Sequence, residues 1–174
     1  MKFLYLVALG GLIASVMVNI TTWFDINLQA KLPYVWLLHG LVFAVWFPMI
    51  ICLRDPFYAD GTDHPRQDSR ALFWKNATSH APQWMKVFVL AVVAYSLAGF
   101  VMGNHILEGG SASIVDGVRV LSDREGIIRE LSDTDFEVYK AISLRMFSGI
   151  WMAAFAVSLI LLSSRIHGPS EADL

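Results

Sequence analysis

Four long apolar runs constrain this chain more than anything else in it: Phe3–Ile20, Leu32–Leu53, Val87–Gly103 and Met146–Leu162. Each has the roughly 17–25 mainly apolar residues that a helix needs to cross a hydrocarbon core. Asn19 is the only strongly polar residue in the first run, and His39 interrupts the second. Composition agrees. The chain is 56% hydrophobic and only 16% charged, against about 25% charged in soluble domains. The expected architecture is an all-α polytopic membrane protein of four transmembrane helices. The segment 104–145, between the third and fourth spans, forms a small extramembrane cap.

The first run follows Met1 and Lys2 and has the outline of a signal peptide, but it is longer than a usual apolar core and ends without a small-residue cleavage site. It is read as a retained first helix. If the N-terminus is cytoplasmic, the inside holds Lys2, Arg54, Arg66, Arg70, Lys75, Lys86 and Arg165. The outside then holds Lys31, Arg119, Arg124, Arg129, Lys140 and Arg145. That balance is close, and the higher density in the second loop tips the positive-inside rule toward both termini cytoplasmic. The expected location is a bacterial inner membrane.

Small residues four apart mark the helices: Gly10 and Ala14, Gly11 and Ser15, Ala94 and Ala98, Gly99 and Gly103, Gly149 and Ala153. Such pairs let backbones approach closely. They fit seams within one bundle or the interface of a homo-oligomer. Pro48 removes a backbone donor and predicts a kink in the second helix. Trp23, Trp36, Trp84 and Tyr34 sit near helix ends and read as interfacial belt residues.

The second loop begins at Arg54 and is rich in breakers. Asp60, Asp63 and His64 resemble only a fragment of a calcium loop, without its closing Glu, and read as a solvated turn. Ser69–Asn76 reads as a short helix on the membrane surface. Asn76-Ala-Thr78 matches a glycosylation sequon. Cys52, the lone cysteine, has no intrachain partner and reads as an inert thiol.

The third loop predicts order. Ala112–Val115 and Val118–Leu121 flank Asp116-Gly117, a strong hairpin signal. Arg124-Glu125-Gly126 supplies a second turn and Ile127–Leu131 a third strand. Ser132 stands as an N-cap before Asp133 and Asp135, where the helix dipole favours acids. Phe136, Tyr139, Ser143 and Met146 share one face. With no breaker before the fourth span, one helix should run from about Asp133 to about Ser164 and project a third of its length beyond the bilayer.

The chemistry-bearing candidates are few. His39 lies within a span, where an ionisable group is a functional hypothesis by default. His105 closes the third helix, with Glu108 just after it and Arg145 opening the fourth span. These four are expected to converge beneath the cap. His39 and His105 would be the residues of a haem, metal or quinone site. Glu108, Arg119, Arg129, Glu137, Tyr139 and Arg145 form the candidate polar cluster for a protein partner bound through residues 110–140. The plainer expectation is that His39 bonds within the bundle and Arg145 pairs with an acid at the surface. No Walker loop, GxSxG, HExxH or dinucleotide fingerprint is present. A net charge of −2 without a basic stripe speaks against nucleic acid. The leading expectation is a non-catalytic accessory, regulatory or protective protein that works by binding, with no cofactor expected. A small redox protein centred on His39 and His105 is the alternative, and a channel or carrier the third.

Overall fold

The computed structural model describes residues 1–58, 78 and 80–167, with residues 52–58, 165 and 167 described by backbone alone. The loop features at Asp60, Asp63, His64 and 69–76 lie outside the described residues, as does the side chain of Cys52. Among the described residues the fold is mostly helical, at 73%, with four helices long and apolar enough to cross a membrane and one small sheet.

The long helices are α1 (Lys2–Thr22), α2 (Leu37–Tyr58), α3 (Gln83–Ile106) and α4 (Asp133–His167). Helices α1, α3 and α4 extend past both ends of their apolar runs, and α2 past the C-terminal end of its own, because helical geometry continues into polar flanks that hydropathy does not mark. Helix α2 begins late. A four-residue helix, Leu28–Lys31, and a 3-10 turn, Pro33–Trp36, intervene, the first capped by Asn27 Oδ1 accepting from Ala30 N. Pro33 opens the 3-10 turn because it lacks the amide that a first turn leaves unbonded anyway. Helix α2 runs on through Pro48.

Helix α4 is the hub. About 67% of its apolar window is buried, against 17–33% for the others. Trp151, Phe155, Ala156 and Leu162 are almost fully enclosed and form the centre of the main core with Ala8, Val45 and Met49. The small-residue pairs divide by face. A methyl on Gly11 would strike the Phe155 ring at 2.5 Å, one on Gly103 would strike Met146, and Gly149 lies against the backbone of Ser96. Gly10 and Gly99 have nothing within 4 Å. Close backbone approach is thus used inside the bundle, at α1–α4 and α3–α4.

The first third of α4 carries the cap. Strands β1 (Ser111–Val115), β2 (Val118–Ser122) and β3 (Ile127–Glu130) form an antiparallel meander. The β1–β2 register pairs Val115 with Val118 across Asp116 (φ +50°) and Gly117 (φ +83°). Two successive left-handed residues make the two-residue turn whose twist suits a hairpin. At the β2–β3 turn, Asp123 Oδ1 accepts from Glu125 N and Gly126 N. Ser132 Oγ accepts from Asp135 N and donates to Asp135 Oδ2, closing the N-terminus of α4. Leu121 packs with Leu107, Ile142 and Met146, so the sheet rests on α4 through a core of its own.

Candidate functional site

Two regions collect the polar and aromatic groups: a seam between α1, α3 and α4, and a patch on α2 and α4 around His39. The cap forms a third surface above them.

The seam is built on Asn19, 3% exposed. Its Nδ2 donates to Ser148 Oγ at 2.9 Å and to the Arg145 carbonyl at 3.2 Å. Its Oδ1 accepts from the Tyr95 hydroxyl at 2.6 Å, and that hydroxyl in turn accepts from Trp23 Nε1 at 3.0 Å. Ser96 Oγ donates to the Gly149 carbonyl at 2.7 Å. One amide with two donors and an acceptor ties three helices together. Beside it, Arg145 Nε donates to Thr22 Oγ1 at 3.2 Å and Nη2 donates to the Thr22 carbonyl. The guanidinium lies 4.2 Å over the Trp23 ring, and Asp25 Oδ1 stands 3.7 Å away. Arg145 therefore closes the C-terminal end of α1, where cations suit the dipole. Between α1 and α3, a cleft of about 360 Å³ is walled by Val16, Ile20, Phe88 and Ala91 and floored by Met152, with Asn19, Trp23 and Tyr95 also lining it. Among the described residues, no buried side-chain nitrogen or oxygen is without a partner. The seam is a satisfied network that holds helices together.

The second region is aromatic. Trp151 Nε1 donates to His39 Nδ1 at 3.0 Å. Phe43 and Phe147 approach the imidazole edge-on, with centroids 5.4 Å and 6.3 Å away. Trp36 sits edge-on to both Phe147 and Trp151. Trp151 is buried, whereas His39, Trp36, Phe43 and Phe147 are exposed on the outer face of the bundle.

On the cap, charges pair with each other. Arg119 bonds Asp133 at 2.7 Å and lies over Phe136. Arg129 lies 3.1 Å from Glu108, donates to the Tyr139 hydroxyl and stacks on its ring. Glu137 is exposed. The cluster expected from sequence thus separates into two ion-paired units holding β2 and β3 against α4. Ile114, Val115 and Val118, around the hairpin turn, are 60%, 39% and 43% exposed.

The expected convergence of His39, His105, Glu108 and Arg145 is not what the structure places there. Arg145 turns to α1, Glu108 to Arg129, and His39 to Trp151, while His105 is exposed at the end of α3. No hydrogen bond or ion pair joins the four to one another among the described residues, because α1 reaches Arg145 first and β3 reaches Glu108 first. Among the described residues, no three His, Cys, Asp or Glu side chains group as a metal site. Sequence reasoning missed Tyr95 and undervalued Trp23 and Trp36, which pack on Arg145 and on Phe147 and Trp151 besides lying near helix ends. The isolated Asn19 was the one available signal, since an amide in a span must find partners.

No protein-family model, curated protein or solved structure matches the chain.

Proposed function

We propose that this is a non-catalytic membrane protein that acts by binding a protein partner through its cap, as an accessory, regulatory or protective subunit. The observation that carries this reading is the exposed apolar group Ile114, Val115 and Val118 at the hairpin end of the sheet. A single Arg119–Asp133 hydrogen bond sets that end beside the start of α4. Asp133 precedes Arg145 by about 18 Å at 1.5 Å per residue, so these side chains stand clear of the apolar spans. Apolar side chains clustered on a folded surface away from lipid mark an interaction site. Two of the neighbouring arginines, Arg119 and Arg129, pair within the cap with Asp133 and Glu108. The proposed setting is a bacterial inner membrane with both termini cytoplasmic and the cap on the far side.

The test is affinity purification from native membranes after in-cell crosslinking at Val115. The wild-type protein should yield one stoichiometric partner, and Ile114→Asp with Val118→Asp should lose it. Unchanged capture by that double variant, with the cap still folded by hydrogen exchange, removes the reading.

A further inference from the structure

We propose that the cleft between α1 and α3 holds one acyl chain of a phosphatidylethanolamine, with the headgroup of that lipid on Arg145 and Asp25 at the rim. This site is separate from the cap and does not depend on the cap's role.

The cleft supplies the space. Its volume is about 360 Å³, whereas an apolar cavity of about 150 Å³ already takes up benzene. Its walls run from Val16 to Trp23 on α1 and from Phe88 to Tyr95 on α3, seven positions on each helix and so about 10 Å long. That volume over that length leaves a channel roughly 6 Å across, too narrow for a partner helix of about 10–12 Å diameter and wide enough for a hydrocarbon chain. The polar groups on the wall, Asn19 and Tyr95, are bonded to each other and ask for no polar ligand inside.

The cleft also has a direction. Its Val16 end lies within the apolar run of α1, and its other end is Trp23, the residue that caps the C-terminus of that helix. The charge lies at the Trp23 end. The Arg145 guanidinium is 4.2 Å over the Trp23 ring, and Asp25 Oδ1 is 3.7 Å from Arg145 Nη2. The Thr22 carbonyl accepts from both Arg145 Nη2 and Asp25 N, which fixes the two residues to one point. At 3.7 Å the pair is longer than a hydrogen bond. Among the described residues, Arg145 Nη1 and the Asp25 carboxylate make no hydrogen bond, and the side chains are 19% and 57% exposed.

A cation and an anion side by side at the mouth of an apolar furrow complement a zwitterionic amphiphile. Arg145 Nη1 donates to the lipid phosphate, and a primary ammonium donates to Asp25. A choline headgroup has no N–H to give Asp25. An anionic headgroup sets its phosphate beside the Asp25 carboxylate with no cation of its own to offset the repulsion.

The test uses the full-length protein in mild detergent and native mass spectrometry with three lipids of identical chains, bearing ethanolamine, choline or glycerol headgroups. One phosphatidylethanolamine per chain is expected, retained at least tenfold better than the other two. Asp25→Asn should bring the ethanolamine and choline lipids within twofold of each other. In the unaltered protein, a phosphatidylethanolamine with a diazirine in its acyl chain should crosslink to residues 16–23 and 88–95, a readout that needs no variant to fold. Equal retention of all three lipids, an undiminished ethanolamine preference in Asp25→Asn, or crosslinks spread evenly over the outer faces of the four helices overturns the proposal.

Discussion

The Tyr95 hydroxyl donates to Asn19 Oδ1 at 2.6 Å, joining α3 to α1 along the edge of the cleft that otherwise separates them. The same hydroxyl receives Trp23 Nε1. Tyr95→Phe removes both bonds but leaves the ring. Interhelical hydrogen bonds in membranes contribute about 0.6 kcal/mol on average and up to about 1.7. Tyr95→Phe should therefore cost about 1 kcal/mol in reversible unfolding from mixed micelles and alter Trp23 emission. Asn19→Leu should cost more, about 2 kcal/mol, because it also strips Ser148 and the Arg145 carbonyl of their donor.

The two adjacent glycines of α1 should behave in opposite ways. Gly11 faces the Phe155 ring and Gly10 faces open space. Gly11→Ala overpacks the α1–α4 seam and should cost about 1–3 kcal/mol. Gly10→Ala should be neutral or slightly stabilising, since alanine is the better helix former. Thermal denaturation of the two variants side by side checks this, and equal loss at both positions would contradict the assigned seam.

Arg145→Lys should not rescue Arg145→Leu. The guanidinium serves the Thr22 carbonyl and hydroxyl and stacks on Trp23 at once. A lysine offers one point charge without a planar face. Both variants should loosen the C-terminal end of α1, read as faster hydrogen exchange over residues 19–25. Protection equal to wild type in Arg145→Lys would show that charge alone suffices.

The cap should be separable from the spans. Ser132→Ala removes the bond to Asp135 N, a cap loss worth about 1 kcal/mol. Gly117→Val places a β-branched residue at φ +83°, where only glycine is unstrained. Each should raise exchange in 111–136 while leaving 147–162 protected.

What was legible in the sequence follows from periodicity and local chemistry. Four apolar runs impose helices because lipid forces every backbone group to be satisfied internally. Asp116-Gly117 imposes the hairpin through its left-handed backbone, and Ser132 imposes the start of α4 through its hydroxyl; both act within four residues. The unbroken stretch from Asp133 likewise made one long helix readable. Side-chain partnership was not local. Asn19 announces a need for partners, but Tyr95 and Ser148 lie 76 and 129 positions away. Nothing in their spacing reveals that α4 would become the hub that brings them together. The same holds for His39. The sequence determined that an imidazole sits within a span. Only the tertiary structure decided that Trp151 Nε1 donates to its Nδ1, because that depends on how α2 packs against α4.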